Sequence, residues 1–462
     1  MICATVSKFR RMKHESQLAR LGLFDAKVPR YTSYPTAPHF SAGVEGGHFK
    51  GWLAAVPAGS AVSLYLHVPF CRRLCWFCAC RTQGVTNELP VRLYLETLKK
   101  EVAEVRAGLP DDVRLSRLHW GGGTPTILSS EMIADLAGTV AEHFPLGESA
   151  EFSVEIDPNE IDAPRLDALA AAGMNRASIG VQDFDPEIQK VIGREQSFEI
   201  TRDAVTELRA RGIRSLNTDI LFGLPYQTNA RITESTTKLL ELEPDRVALY
   251  GYAHVPWMAR RQTLIPAPAL PSPEARLHLF ETARRLFAWA GYQEIGIDHF
   301  ARPGDGLETA QKDGTLRRNF QGYTDDQARV LIGLGASSIS RFPQGYAQNA
   351  PKTSEYQARV RAGECATTRG HAFRSDDVLR GRVIEALMCQ FRADLDALEA
   401  ECCAAPGSLD AVARTALEKF PGALEMPGRA LEIPVEGRPL TRMIARCFDA
   451  YDMDASGHSS AI

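Results

Sequence analysis

At 462 residues the chain is long for a single hydrophobic core and suits one large domain with a smaller one. Its 44% hydrophobic and 24% charged residues describe a globular protein, and a net charge of −4 gives no reason to expect nucleic acid. No stretch approaches the roughly 20 apolar residues of a membrane helix, and MICATVSKFRRMKHESQ lacks the apolar run of a signal peptide, so no membrane role and a cytoplasmic location are expected.

The first 60 residues carry turn signals (RYTSYPTAPHF, VPAGSA) and read as an N-terminal wrapping segment, 1–60. A βα alternation follows over 61–300. Strand-like VSLYLHVP (62–69) precedes RLYLETLKKEVAEV (92–105), which has helical periodicity. SRLHWGGG (116–123) leads to a helix that Ser129 or Ser130 could cap. EFSVEID (151–157), RASIGVQ (176–182), SLNTDILFG (215–223) and RVALYGYAHV (246–255) complete six strands separated by helices. Alternation of this kind implies a parallel sheet with right-handed crossovers. The unusual residues gather at the C-terminal ends of these strands: the Cys loop, GGGTP, Glu155 with Asp157, Gln182, Asp219, and Ala253 with His254. Active sites of β/α barrels are built at that end, whereas a doubly wound sheet concentrates its ligands at one switch point. The expected fold is therefore α/β, a partial (β/α)6 barrel. After the Pro-rich LIPAPALPSPE (264–274) and a helix ending near Ala290, residues 301–370 read as covering loops and helices. Residues 371–462 read as a small, mostly helical or winged C-terminal domain containing the strand-like ALEIPVEGRPLT.

Of ten cysteines, four fall within HVPFCRRLCWFCAC, spaced C-x3-C-x2-C-x-C from Cys71 to Cys80. In a reducing compartment such a cluster points to metal or redox work rather than disulfides. Three neighbouring thiolates can hold three corners of an iron–sulfur cubane and leave one iron open. A four-thiolate structural zinc site is the competing reading, although zinc ribbons usually split their cysteines into two separated pairs. GGGTPT (121–126) allows close backbone approach to a small polar ligand, with a tight structural turn as the alternative; no Lys-Ser/Thr pair follows that would make it a phosphate loop. Glu155 and Asp219 can accept from ribose hydroxyls or an ammonium group, Gln182 can donate and accept, and Arg194 can grip a carboxylate. At a barrel mouth, Arg194 is expected to matter for binding and little for stability.

The C-x3-C-x2-C motif after a first strand, with Phe77 before the third Cys, resembles the signature of the radical S-adenosylmethionine superfamily. The resemblance implies that Cys71, Cys75 and Cys78 ligate a [4Fe-4S] cluster whose fourth iron is chelated by the cofactor. It also implies that the glycine motif meets the cofactor's amino group. Within that superfamily the chain is similar to the bacterial oxygen-independent coproporphyrinogen III oxidases from about Arg30 to Tyr451. The matching stretches include RYTSYPTA (30–37), LYLHVPFC (64–71), LHWGGGTPT (118–126), EIDP (155–158), GVQDF (180–184) and IGREQ (192–196). Further matches are GLP (223–225), YAHVP (252–256), DHFARP (298–303), RNFQGYT (318–324), YAQN (346–349) and CFDAY (447–451). By this resemblance two S-adenosylmethionine molecules bind, with contacts at Tyr65, Phe77, Gly122, Gly123, Thr124, Glu155, Gln182, Arg194, Asp219, Ala253 and Ile339.

The implied reaction converts two propionates of coproporphyrinogen III to vinyl groups, through a 5′-deoxyadenosyl radical released when the reduced cluster cleaves the cofactor. Cys80 is expected not to be a ligand, since it would block the open iron, but to help handle substrate or the departing electron; an inert buried thiol is the alternative. Arg302, Arg317 and Arg318 are candidate partners of the tetrapyrrole's propionates. A flavodoxin or ferredoxin is the expected electron donor, and a monomer the expected state. Trp76, Ala79 and Arg81 depart from the Tyr, Gly and Asn of the best-known relatives, and the tail DMDASGHSSAI does not match theirs. A heme-binding chaperone, or another radical reaction such as methyl transfer, would use the same scaffold.

Overall fold

The computed structural model describes residues 17–374, 376–451 and 458–462. Cys3, the start of the expected wrapping segment and residues 452–457 of the tail lie outside the described residues. Six parallel strands form in consecutive order: β1 (Ala61–Val68), β2 (Arg114–Gly122), β3 (Leu146–Ile156), β4 (Arg176–Gln182), β5 (Ser215–Phe222) and β6 (Arg246–Gly251). Helices follow them at Leu89–Ala107, Ser130–His143, Ala163–Ala171, Phe198–Ala210, Asn229–Glu241 and Pro273–Trp289. Their starts are written locally. Ser129, Asp162, Ser197, Thr228 and Ser272 each accept a hydrogen bond from the backbone N–H three residues on. Both faces of the sheet are covered, so β1 is buried almost throughout, with Leu64, Leu66 and Val68 sharing a core with Leu95, Leu98 and Val102.

The region read as covering loops differs most from expectation. After two antiparallel edge strands beside β6, β7 (Gln293–Ile295) and β8 (His299–Ala301), the chain returns to the other side of the sheet. There β9 (Leu331–Leu334) lies parallel to β1, and β10 (Ile339–Phe342), β11 (Gly345–Asn349) and β12 (Thr367–Ala372) continue antiparallel. The result is an open sheet in the order β12-β11-β10-β9-β1-β2-β3-β4-β5-β6-β8-β7. These added strands are short and broken by Gly and Ser, so no period-2 alternation builds up in the sequence. Gly335, at φ +96°, shows why the breaks are glycine: a Cβ there would lie 2.5 Å from Tyr94 Oη and 2.6 Å from the His67 carbonyl.

A second core joins Leu18, Leu23, Val28, Tyr31 and Tyr34 to Val383, Leu387, Phe420, Ile444 and Phe448. The N-terminal segment is thus part of the C-terminal body, while Arg30 reaches from it to donate to the Gly251 carbonyl at the end of β6 (2.6 Å). Tyr31 donates to Asp449 (3.0 Å), Ala450 N–H donates to Tyr34 Oη (3.0 Å), and Lys27 bridges to Ser460. The stretch ALEIPVEGRPLT is strand only over Ala430–Glu432; Pro434 and Pro439 turn the rest into a 3-10 helix. At the N-terminal end of the barrel, charges are paired. Glu151 lies 2.6 Å from Arg117 and 2.7 Å from Arg176, which hold its carboxyl at about 2 against the upward pull of burial.

Candidate active site

β1 runs into the cysteine loop, which is closed at its base by pairing of Phe70–Cys71 with Gln83–Gly84. Elements following β4 and β6 then pin it from outside. Trp76 N–H donates to the Ile192 carbonyl (2.9 Å), Gln262 Nε2 donates to the Phe77 carbonyl (2.7 Å), and Arg261 Nη2 donates to the Thr82 carbonyl (2.9 Å). The Trp76 indole lies over Gly193, where a Cβ would sit 2.9 Å from the ring. Cys71, Cys75, Cys78 and Cys80 are all free; the first three are half-buried and Cys80 is exposed. Cys80 N–H points at Cys78 Sγ (3.4 Å). Burial pushes the Cys71 thiol up to about 11 and raises Cys75, where Arg194 works the other way. Thiolates at these positions therefore need cationic charge beside them, which suits metal binding. Among the described residues no three His, Cys, Asp or Glu side chains converge as ligands of one ion would. Thiolates on a cubane each meet a different iron and need not converge.

One wall of the site is glycine. Gly123 N–H donates to the Val68 carbonyl (2.9 Å) and Thr124 N–H to the Phe70 carbonyl (2.8 Å), which presses the turn against the base of the cysteine loop. A Cβ on Gly123 would lie 2.5 Å from the Phe70 carbonyl oxygen, and one on Gly121 2.5 Å from Glu155 Oε1. Glu155 accepts from Gly122 N–H (3.0 Å), and His119 Nε2 stands 3.4 Å from its other oxygen. Arg194, which follows β4, has only 14% of its side chain exposed. It donates to the Gly180 carbonyl (2.8 Å) and approaches Cys75 Sγ and Asp157, both at 3.7 Å. Its Nε is buried without a hydrogen-bond partner. A buried donor left open on a guanidinium beside a thiol fits a carboxylate-bearing cofactor.

Asp219 lies deeper, held by Asn217 Nδ2 (3.1 Å), and burial together with Glu155 pushes it up to about 7. Gln182 ends β4 at φ +68°, its amide turned back toward Gly180 beside Arg194. Tyr65 Oη bonds His67 Nδ1 (2.9 Å), and its ring stacks on His119. Phe77 packs against Ile188, Ile192, Leu221, Leu224, Tyr252 and Ile265. The Ala253 carbonyl accepts from Gln262 (3.1 Å), and Ile339 lies across Gly333, the register partner of Tyr65. The residues singled out at six strand ends thus share one end of the sheet, with Ile339 on an added strand. His254 is tied to Tyr252 Oη (3.0 Å).

Sequence reasoning missed Arg261 and Gln262, because they lie just before a Pro-rich stretch that reads as linker. It also missed His119 and Asn217, whose signal was present: each is a polar residue two positions before a residue already singled out, Gly121 of the glycine motif and Asp219. Of the three arginines offered to propionates, Arg302 is at the wrong end, its N–H donating to Asp245 before the start of β6 (2.9 Å). Arg317 pairs with Glu385 (3.2 Å), while Arg318 is buried.

A family profile described as the Radical SAM superfamily matches residues 65–239. The chain is 64% identical over 451 residues to the "Oxygen-independent coproporphyrinogen III oxidase" of Paracoccus denitrificans (strain Pd 1222), covering 98% of this chain and 100% of that one. It is 38% identical to the protein of the same name from Escherichia coli (strain K12), over 94% and 95% of the two chains. The solved structure of coproporphyrinogen III oxidase from Escherichia coli, described as a radical SAM enzyme, superposes with a TM-score of 0.87 at 36% identity, over 92% of this chain and 100% of that chain. With the cysteine loop, glycine wall and partial barrel in place, these likenesses lead to one conclusion: the chain belongs to the oxygen-independent coproporphyrinogen III oxidases of the radical SAM superfamily.

Proposed function

We propose that this chain converts two propionates of coproporphyrinogen III to vinyl groups with loss of CO2, giving protoporphyrinogen IX in heme biosynthesis. When bound, the [4Fe-4S] cluster and S-adenosylmethionine supply one-electron cleavage of the sulfonium and a carbon radical that abstracts hydrogen from a propionate. The residues hold and shield. Cys71, Cys75 and Cys78 are the three cluster ligands in this reading. Gly122, Gly123, Thr124 and Glu155 meet the amino-acid end of the cofactor, and Arg194 its carboxylate. Asp219 and Gln182 offer hydrogen bonds to the remaining polar groups, while Tyr65, Phe77, Ala253 and Ile339 line the space for two cofactor molecules. Cys80 stands beside the ligands without being one and acts on substrate or the departing electron.

The observation that carries the reading is Arg194, a buried guanidinium whose Nη1 approaches Cys75 while its Nε is left without a partner. An anaerobic assay tests it. The reconstituted protein should be brown, hold about four irons per chain, and form protoporphyrinogen IX while consuming S-adenosylmethionine. Stoichiometric zinc with no visible absorption, or no vinyl product from an iron-loaded protein, would overturn it.

A flavodoxin or ferredoxin is the proposed electron donor, and a cytoplasmic monomer that binds no nucleic acid the proposed state. The charge of −4 supports the last point, and among the described residues no helix is long and apolar enough to cross a membrane. The first core, from Val44 to Ala366, supports a barrel over about 61–300 that packs as one body with residues 301–370; the second supports a C-terminal body beyond about 371 to which residues 18–34 belong.

A further inference from the structure

Beside the barrel, and lined by none of the loop cysteines, lies a cavity of about 480 Å³. Its walls are the ends of β5 and β6, the helix Pro273–Trp289, and the C-terminal body. Arg30, Arg276, Arg318 and Arg442 converge on it around Asp298. Two other acids of the wall are already matched: Arg284 lies 2.9 Å from Glu281 and 2.5 Å from Glu294. Glu436 also lines the cavity, so the four guanidinium groups share Asp298, Glu436 and the carboxylate of Ile462, the last residue of the chain.

Most of their donors go to carbonyls, which orient a guanidinium without neutralising it. Arg30 donates to Gly251 (2.6 Å), Arg276 to Tyr252 (2.9 Å), and Arg442 to Pro29 (3.0 Å), Ser460 (3.1 Å) and Ala461 (3.0 Å); of these three, Arg276 alone also meets an anion, the terminal carboxylate of Ile462 (3.0 Å). Arg276 fits only because Gly223 and Gly251 leave room; a Cβ on Gly223 would collide with its guanidinium. Arg318 is the unsatisfied member. Its side chain is 4% exposed, the Asp298 oxygen is 3.8 Å away, and its Nε and Nη1 have no hydrogen-bond partner. Burial, with repulsion from Arg30, pushes Arg276 down to about 10; burial, Arg30 and Arg318 push Arg442 to about 9. Buried cationic donors in excess of their acceptors call for an anion.

We propose that this cavity is a carboxylate pocket in which Arg30, Arg276 and Arg318 hold propionates of coproporphyrinogen III that are not reacting. The assignment rests on the substrate reading above. The substrate carries four propionates of which two react, so fixed carboxylates must be gripped throughout the reaction. A guanidinium fork matches a carboxylate in shape and charge. The volume is within the range of small-molecule sites. The pocket also adjoins the site: its wall at Gly251 and Tyr252 leads directly into Ala253, and Tyr250, hydrogen-bonded to His299 at 3.3 Å, feels both Asp219 and Asp298.

Binding of coproporphyrin III, the stable oxidised form with the same four propionates, is measured on the iron-loaded protein beside its tetramethyl ester. The acid should bind at least tenfold more tightly than the ester. Arg30→Gln, Arg276→Gln and Arg318→Met should each weaken acid binding and lower kcat/KM for coproporphyrinogen III at least tenfold, with iron content and S-adenosylmethionine binding at wild-type level. Equal binding of ester and acid overturns the pocket without needing any variant to fold. So does wild-type affinity in folded Arg30→Gln and Arg276→Gln, even if their melting points fall, which would make the cluster structural. A wild-type protein that binds the acid through these arginines yet forms no vinyl product retains the pocket and loses the activity.

Discussion

The Arg194 guanidinium divides its donors between the Gly180 carbonyl, the Cys75 thiol and an unfilled direction. Arg194→Ala should weaken S-adenosylmethionine binding by about 1.5–3 kcal/mol, the loss of one charge-assisted contact. Its burial also corrects the expectation of unchanged stability: the variant should melt earlier, and titration of the anaerobic protein separates the two effects. A lower melting point with unaltered binding would make Arg194 structural. For Cys80, Cys80→Ser should keep full iron and lose vinyl product; lost iron would make it a ligand, and unchanged product would make it inert. Asp219 carries a pH prediction. Its folded pKa of about 7 is raised, so in the free enzyme it is protonated below that value. A cationic cofactor prefers the carboxylate, so binding should tighten as pH rises toward 7, flatten above it, and release a proton near pH 6. Asp219→Asn should abolish that slope, as read by calorimetry in two buffers.

Helices and strands of the barrel are joined by buried polar ties, of which Glu101 is the clearest. From the helix Leu89–Ala107 it accepts from Gly335 N–H, Asn349 Nδ2 and Tyr356 Oη, each at 2.7 Å, and so locks the turn after β9. Burial raises its pKa to about 7 despite those donors. The sign follows: the tie contributes fully below about pH 4.5, and on the order of 3 kcal/mol is lost as pH rises through 7. Denaturant titrations at pH 5 and 8 should show that fall. A Glu101→Gln variant, which cannot ionise, should show a correspondingly shallower slope. Elements of this kind also mark where sequence reading stops. The six parallel strands were legible because strand-like segments alternate with helical ones and carry polar or glycine signals toward their C-terminal ends, and the ligand cysteines because their spacing admits few chemistries. β9 to β12 were not, since four to six residues interrupted by glycine carry no period. Of the arginine cavity only Arg318 was offered by the sequence, and the rest was hidden for another reason: Arg30, Arg276, Arg318 and Arg442 are scattered over the chain, and only packing brings them together.

At the scale of the molecule there are two cores, and the second contains residues from both regions of the chain that flank the barrel. Leu23 is fully buried in that second core. Leu23→Ala should cost about 2–5 kcal/mol and loosen the C-terminal body first. Limited proteolysis should then cut within 377–448 before the barrel; simultaneous cutting in both would show that the cores unfold as one unit.

β1 gains its two neighbours from very different distances along the chain: β2 follows soon after it, whereas β9 supplies Leu331 as the partner of Ser63. Until residues 331–334 arrive, the strand that carries the thiols is an edge, with open N–H and C=O groups and the hazards of an edge. Closing so long a loop is slow, because chain entropy is lost before any contact repays it. A nascent or partly folded chain therefore presents its cysteines on a floppy rim, where they are open to oxidation and to stray metal. Iron loading is thus expected to follow completion of the sheet, and reconstitution of a chain truncated before residue 331 should give oxidised or mis-metallated cysteines rather than a full cluster.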